Sequence, residues 1–423
     1  MFDLDRWQEI VSALKKNKMR TFLTAFGVFW GIFMLVVMVG AGNGLRNGVI
    51  SDFGDFATNS VFMFTRSTSI PYKGFPIGRH YNFYDEDIEA LRKQVPEIDI
   101  LAPRTQGGGM RDGNNVTRGI KAGAFSVFGD YPEWNEIDPV TITGGRFLND
   151  SDLKEKRKVA VIGNKVQEIL FDPSENPLGQ YIQIQGIYFQ VIGTFKPGQT
   201  GVNFGGDKEQ SIFIPLTTFQ RVYNWGNIIG WFAFTSKEGI PASVVQEKAA
   251  ALMRSRHSVA PNDTEAIGSF NLEEEYNKMN GLFQGINMLI WIVGTGTLLA
   301  GVIGISNIML VIVKERTKEI GIQRAIGASP FKIISQIITE SVFLTTLAGY
   351  IGLVVSVALL EAVNKALPPP GESSGGTMFL NPGIDFNMAI TALAILVVSG
   401  AIAGWFPARK AVRIKPIDAL RYE

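Results

Sequence analysis

The sequence contains no cysteine and only two histidines, His80 and His257. Without cysteine the chain cannot form disulfide bonds or build thiolate zinc and iron–sulfur sites, and two histidines do not make a histidine-rich metal centre. Charged residues are also scarce, at 19% of 423 residues, whereas an average soluble protein has about 25%. We therefore expect no metal or cofactor bound by the chain itself, and a protein that lies partly in lipid.

A charge excess of either sign is missing too. Lysine and arginine total 40 and aspartate and glutamate total 39, which leaves a net charge of +1. Proteins that bind nucleic acids normally carry a basic surplus. The balance therefore predicts no nucleic-acid partner.

Four long apolar runs are present, at residues 21–44, 283–313, 333–360 and 388–406. Each reaches the length of about 20 residues that a helix needs to cross a membrane. The first run is too long for the apolar part of a signal peptide, about 7–15 residues, so we interpret it as a retained anchor. Residues 45–282 are numerous enough to form a folded domain, whereas residues 361–387 form only a short loop.

The basic residues indicate the orientation of these runs. Three segments each carry five of them: residues 1–20, the loop at 314–332 and the tail at 407–423. The loop at 361–387 contains only Lys365. Because basic residues concentrate on the cytoplasmic side, both termini and the 314–332 loop are expected in the cytoplasm, with the 45–282 domain on the periplasmic side of a cell inner membrane. Residues 1–20 have the apolar spacing of an amphipathic helix on the inner face.

Residues 45–282 show the pattern of a mixed α+β domain. Short apolar segments predict strands, for example at 159–162 and 182–184, and Asp85–Gln94 is predicted as a helix. The acidic residues Asp85, Glu86 and Asp87 are interpreted as complements of that helix's dipole, not as catalytic groups. A membrane-anchored enzyme acting through this domain remains an alternative.

The loop at 314–332 has an ordered pattern of charges and helix breakers. From residue 315 to 330 it reads E-R-T-K-E-I-G-I-Q-R-A-I-G-A-S-P, in which Gly327 suits a helix end and Pro330 a helix start. This closely resembles the E-R-x-x-E-I-G-x-x-R-A-I-G-A signature of the MacB/FtsX/LolC family of ABC-transporter permeases. Residues 407–421 resemble the family's P-A-x-x-A-x-x-x-x-P-x-x-A-L-R ending, and segments such as 159–163 resemble the MacB periplasmic core.

This resemblance implies a fold and a way of working. The fold is a membrane α-helical one, with four transmembrane helices and a large α+β extracytoplasmic domain of the MacB periplasmic-core type. The function is mechanotransmission, in which ATP hydrolysis by an ABC ATPase moves the outer domain. The sequence has no G-x-x-x-x-G-K-[ST] motif and its first apolar run begins at residue 21, so we expect a permease that is not itself an enzyme and whose ATP is bound by a separate subunit.

The resemblance also implies residue roles and partners. The residues expected to couple to the ATPase are Glu315, Arg316, Glu319, Arg324, Gly327 and Ala328. The expected partners are the ABC ATPase, a second permease chain, membrane lipid, and a periplasmic membrane-fusion adaptor with an outer-membrane channel. An efflux pump suits the large outer domain best. A lipoprotein-releasing permease and an FtsX-like regulator of cell-wall hydrolases remain alternatives.

Two features of the apolar runs stand out. Gly27 and Gly31 form a small-xxx-small pattern that lets helices approach closely, and we expect a contact between two chains there. Glu340 is the one acidic residue of the third run, within plausible reach of Arg324 or Lys332. A charge at such a depth is either functional or held in a structural ion pair, and the sequence leaves both interpretations open.

Overall fold

The computed structural model describes residues 18–54, 56–108, 115–198, 206–367, 379–384 and 386–414. It divides into two compact units. The helical unit combines the two ends of the chain, Met1–Val49 and Gly281–Glu423, and the sheet unit is Ile50–Asn280. The amphipathic helix predicted for residues 1–20 and most of the tail at 407–423 lie outside the described residues.

Short helices are interspersed among the strands of the sheet unit, and the helical unit is formed mainly by long helices. The helices are α1 (Lys18–Phe53), α2 (Asp85–Gln94), α3 (Trp134–Ile137), α4 (Asp150–Lys154), α5 (Asn164–Leu170), α6 (Leu216–Val222), α7 (Ala242–Arg256), α8 (Leu272–Glu315), α9 (Thr317–Ala325), α10 (Pro330–Ala366) and α11 (Phe386–Val412). The strands are β1 (Ser60–Thr65), β2 (Phe83–Tyr84), β3 (Ile98–Gly108), β4 (Val116–Arg118), β5 (Lys121–Gly123), β6 (Ser126–Asp130), β7 (Val140–Gly145), β8 (Val159–Gly163), β9 (Tyr181–Ile184), β10 (Ile187–Pro197), β11 (Ser211–Pro215), β12 (Ile228–Ile229), β13 (Trp231–Ser236) and β14 (Ile267–Asn271).

Among the described residues, four helices are long and apolar enough to cross a membrane. They are the Ala25–Ser51 part of α1, α8, α10, and the Asn387–Val412 part of α11. The prediction of four transmembrane helices is confirmed. The helices extend beyond the apolar runs because polar residues can continue a helix outside the hydrocarbon region. For example, α8 begins at Leu272 and has three glutamates in its first turn, where negative charge is favourable.

Small residues bring the membrane helices together. A Cβ atom added at Gly352 of α10 would lie 2.7 Å from the backbone oxygen of Phe29 in α1. One added at Gly404 of α11 would lie 2.0 Å from the Oγ of Ser341 in α10. Side chains such as Ile32 and Leu396, both fully buried, fill the space between the helices. The bundle therefore relies on close backbone approach, as expected where water does not drive association.

The fourth membrane helix does not stop at the proline predicted to begin the tail. Pro407 lies inside α11, which continues to Val412. A proline removes one backbone hydrogen bond and normally ends or bends a helix. Here Ala408 and Ala411, immediately beyond it, are fully buried in the core of the helical unit. We attribute the continued helix to this packing, which the local sequence does not reveal.

The sheet unit is built on one mixed sheet with the strand order β14-β1-β13-β3-β6-β11-β8-β10-β9-β4-β5, in which β7 also pairs with β10. Two neighbouring pairs, β6 with β11 and β8 with β10, are parallel. The predicted helix Asp85–Gln94 is confirmed, and Gln185 and Gly186 both have positive φ in the turn between β9 and β10. Positive φ at both central positions is the geometry that a two-residue hairpin prefers.

Apolar cores cover both faces of this sheet. Alternate residues of β1 divide between them, because Val61 and Met63 pack with α2 and α7 whereas Phe62 packs with Trp134. Another large apolar cluster, separate from the two around β1, surrounds β8 to β11 and includes residues of α5 and α6. Successive side chains of a strand point to opposite faces, so a strand covered on both sides is apolar throughout. The α+β prediction for this region is confirmed.

Candidate coupling site

The predicted coupling loop forms a short helix, α9, between the second and third membrane helices. One residue, Arg316, separates α8 from α9; its backbone N–H donates to Ile312 and its carbonyl accepts from Ile320. At the other end Gly327 has a φ of +100°, and the N–H groups of Gly327 and Ala328 donate to the carbonyls of Arg324 and Gln323. These two bonds form a Schellman motif, which explains why glycine occupies this position.

The next helix begins immediately after this cap. The Ser329 side chain accepts a hydrogen bond from the backbone N–H of Lys332, and Pro330 is the first residue of α10. Serine before the first turn and proline within it are favoured helix starts. The Gly-Ala-Ser-Pro segment therefore holds α9 and α10 as two separate helices joined by a defined turn.

Glu340, the acidic residue of the third membrane helix, forms an ion pair with Arg316. The distance from Arg316 Nη1 to Glu340 Oε1 is 3.0 Å, and Arg316 Nε also lies 3.4 Å from Glu319 Oε2. The Glu340 side chain is only 9% exposed, whereas that of Glu319 is 68% exposed. The partner is therefore neither Arg324 nor Lys332, the two basic residues considered from the sequence.

Arg324 contacts the end of the fourth membrane helix. Its Nη1 donates to the backbone carbonyl oxygens of Val412 and Ile414, each at 2.6 Å. The last carbonyls of a helix have no partner within that helix, and a cation there is favourable. Arg324 thus joins α9 to α11 within the chain.

Other side chains of this region face outward. Glu315 and Glu319 are exposed, and the large apolar residues Ile326 and Phe331 are 83% and 78% exposed. A cavity of about 280 Å³ lies beside α9, with the Arg316–Glu340 pair in its wall. The rest of its lining is mainly aliphatic, from Ile312, Val313, Ile320, Ile322, Ile333 and Ile337. The six predicted coupling residues thus occupy one short segment but differ in exposure and contacts.

Gly27 and Gly31 pack within the chain. A Cβ atom at Gly27 would lie 3.7 Å from Cα of Gly301, and one at Gly31 would lie 3.5 Å from Cα of Leu298, both in α8. The pattern does bring two helices close together, as predicted. The second helix belongs to the same chain, and the contact between two chains expected at these residues stays a prediction.

In the sheet unit, the acidic residues considered from the sequence have structural contacts. Asp87 accepts hydrogen bonds from the backbone N–H of Tyr84, from Arg256 Nε at 2.6 Å and from His257 Nε2 at 2.8 Å. Burial alone would raise the pKa of Asp87, but these hydrogen bonds together lower it below its ordinary value. Within the part of the chain that the structure describes, no group of three or more His, Cys, Asp or Glu residues is arranged to hold a metal ion.

Comparison with known families accounts for both parts of the chain. Residues 21–252 match the MacB-like periplasmic core domain, and residues 291–416 match the FtsX-like permease C-terminal domain. The first match alone covers more than half of the 423 residues. The chain belongs to the MacB/FtsX family of permeases. This family places the helical unit and the sheet unit in one multi-pass membrane protein with a periplasmic-type domain.

Relatives within the MacB/FtsX family include two exporters. The macrolide export ATP-binding/permease protein MacB of Bdellovibrio bacteriovorus is 28% identical over 97% of this chain and 60% of its own length. The pyoverdine export ATP-binding/permease protein PvdT of Pseudomonas putida is 28% identical over 96% of this chain and 58% of its own length. The periplasmic region of MacB from Actinobacillus actinomycetemcomitans, a crystal structure, is 19% identical, with a TM-score of 0.43 over 53% of this chain and 94% of that one. The chain thus spans less than two thirds of these two exporters.

Sequence reasoning missed two features of this MacB/FtsX-type site. It gave no role to Ile322 of α9 and Ile326, the residue that follows α9, which lie four positions apart and are both exposed. That spacing, on a helix flanked by charges, was the available signal for an apolar contact surface. It also missed the ion pair of Glu340 with Arg316, because Arg316 lies 24 positions earlier, at the junction of α8 and α9.

Proposed function

We propose that the chain is the permease subunit of a MacB-like ABC transporter. In this proposal it couples ATP hydrolysis by a separate ABC ATPase subunit to movement of its periplasmic domain, and a second permease chain completes the assembly. The observation that carries the proposal is α9, a capped helix between two membrane helices, where Glu319, Ile322 and the following residue Ile326 are exposed. Arg316, which precedes α9, and Arg324 within it bind other parts of the same chain.

The contacts of α9 would allow a movement of this helix to be transmitted to the membrane helices. The helix follows α8 after a single residue, contacts α10 through Arg316 and contacts α11 through Arg324. A displacement of α9 would therefore act on three membrane helices together. An ATPase that binds α9 differently in its ATP-bound and ATP-free states would shift the balance between two packed arrangements of these helices.

The proposal includes an orientation and a direction of transport. The basic residues favour a cytoplasmic location for α9 and both termini, and a periplasmic location for the sheet unit. The names of the relatives, macrolide export and pyoverdine export, support efflux as the direction of transport. A membrane-fusion adaptor and an outer-membrane channel are the further partners of this proposal. Lipoprotein release and regulation of cell-wall hydrolases are the alternative functions for the same architecture.

The first test measures ATP hydrolysis. The detergent-solubilised chain should hydrolyse no ATP by itself, since its sequence lacks a phosphate-binding loop motif. Co-purification with the ABC ATPase of its host should give a complex that does hydrolyse ATP. Hydrolysis by the chain alone would contradict the proposed division of labour.

The second test concerns the docking surface. Ile326→Asp should weaken association with this ATPase by about tenfold to a hundredfold, because burying an isoleucine contributes about 1.5–3 kcal/mol. Folding should be unaffected, since Ile326 is 83% exposed. Ile120→Asp is the matched control, because Ile120 is fully exposed in the sheet unit. Unchanged ATPase binding in both Ile326→Asp and Glu319→Ala would remove α9 as the docking surface.

A further inference from the structure

The ion pair between Arg316 and Glu340 joins the junction of α8 and α9 to the third membrane helix. We infer that this pair positions α9, holding it at one angle to α10. The functional meaning of that angle rests on the proposed coupling role of α9. The positioning itself does not require an ATPase and is tested without one.

The location of Arg316 makes it suited to this task. It is the single residue between α8 and α9, with φ of −90° and ψ of 12°, so the direction of α9 is set at this residue. Its side chain is 20% exposed and reaches Glu340, 24 positions later, at 3.0 Å. A contact at the junction of two helices restrains the angle between them more directly than one at an exposed surface.

Two polar contacts between described residues join α9 and its first flanking residue to other membrane helices, namely Arg316 to Glu340 and Arg324 to the end of α11. A nine-residue helix is too short to be stable by itself in water, so it depends on contacts with its surroundings. Within α9, as the structure describes it, Ile320 and Gly321 are the buried residues. Beside them lies the cavity of about 280 Å³, which leaves α9 room to tilt. The Arg316–Glu340 pair and the bonds from Arg324 to α11 therefore carry much of the restraint.

The burial of Glu340 makes the pair difficult to break. A carboxylate that is nine-tenths buried among aliphatic side chains is unfavourable unless a cation or hydrogen-bond donor compensates it. Arg316 contributes to that compensation through the 3.0 Å contact, which requires α9 to lie in its observed position. A tilt that separates the two groups would lose this contribution and is therefore opposed.

Absence of cysteine from the chain gives a direct test. Ala325→Cys in α9 and Ser335→Cys in α10 are exposed positions, so two spin labels can be attached to the full chain in detergent at sites with no competing thiol. Electron spin resonance then measures the distance between the labels. The doubly labelled chain should give one narrow distance distribution. Glu340→Gln and Arg316→Gln should each cause loss of that narrow peak, with Arg316→Lys retaining it.

A matched control and a rescue separate positioning from general stability. Glu361→Gln makes the same chemical change on the same helix, but in an exposed pair with Lys365, and should leave the distance distribution unchanged. Exchanging the charges, with Arg316→Glu and Glu340→Arg together, should restore the narrow peak even if a single variant folds poorly. Glu340→Gln with an unaltered distribution, or exchanged charges without restoration, would overturn the inference.

ATPase binding by the same variants keeps this inference apart from the proposed function. If Glu340→Gln loosens α9 and also weakens association with the host ATPase, both proposals are supported. If α9 loosens and association is undiminished, the positioning inference stands, and a dependence of ATPase docking on the angle of α9 is contradicted.

Discussion

At the scale of single residues, charged side chains in the sheet unit mainly hold the architecture together. Asp152 shows how. It is fully buried and accepts hydrogen bonds from Arg146 Nη1 at 2.6 Å, from Arg146 Nη2 at 3.0 Å and from the backbone N–H of Asn149. Burial alone would raise the pKa of Asp152, but the hydrogen bonds and the nearby arginines lower it below its ordinary value.

This pKa shift predicts a pH-dependent contribution to stability. Because the folded pKa of Asp152 lies below the unfolded value of about 3.9, the carboxylate stabilises the fold above that pH, and its contribution is lost as pH falls through the folded pKa. Asp152→Asn should therefore lower the stability of the full chain in detergent by about 1–3 kcal/mol at pH 7. Melting curves should show this difference shrinking below about pH 4.

The control for this prediction is a surface carboxylate. Asp172 pairs with Lys121 but is 72% exposed, so Asp172→Asn should change the melting temperature little. If Asp152→Asn lowers the stability by the same amount at every pH, the loss of stability comes from altered packing and not from the lost charge.

At the scale of elements, close contact between helices limits the size of the side chains that fit between them. The carbonyl oxygen of Phe29 would lie 2.7 Å from a Cβ at Gly352, and a backbone atom cannot rotate away as a side chain can. Gly296 also lies inside a membrane helix, yet a Cβ there would meet no atom within 4 Å. The two glycines therefore differ in what surrounds them, although both are helical.

Alanine substitutions at these two glycines should give opposite results. Gly352→Ala should destabilise the chain by about 1–3 kcal/mol, because α1 and α10 must separate to admit the methyl group. Gly296→Ala should be neutral or stabilising by up to about 1 kcal/mol, since alanine favours a helix more than glycine does. Melting temperatures of both variants in detergent provide the measurement. Equal melting temperatures would contradict the helix arrangement described for α1 and α10.

At the scale of the whole molecule, basic residues and apolar helices together predict how the chain crosses the membrane. Four crossing helices return the chain to the side where it started. We therefore expect the three segments with five lysines and arginines each on one side of the membrane, and the loop with Lys365 alone on the other.

Reporter fusions test this topology. A reporter fused after Glu423 should lie in the cytoplasm. One inserted at Gly371, between the third and fourth spans, should lie in the periplasm. Paired reporters that work in opposite compartments, such as alkaline phosphatase and green fluorescent protein, give the measurement at each site. Any other pairing of locations would contradict the four-span orientation.

Much of the architecture followed from local sequence signals. The four membrane helices, the α+β character of the outer region and the helix Asp85–Gln94 were all predicted and confirmed. At the coupling site, Gly327 and Pro330 were expected to end one helix and begin the next, and they do. Such features depend on neighbours a few positions apart, whose physical effects can be read directly from the chain.

Contacts between distant residues were decided only by tertiary structure. Glu340 pairs with Arg316 and not with a basic residue nearer in sequence, Arg324 contacts the end of α11, and Gly27 packs against α8 of its own chain. Packing around Ala408 and Ala411 likewise carries α11 past Pro407. The sequence by itself determined which segments form the membrane helices and that α9 ends at Gly327, because those preferences are local. Which helices pack together, and hence which charges meet, depends on the arrangement of the whole bundle, since residue spacing predicts neighbours only within a single helix.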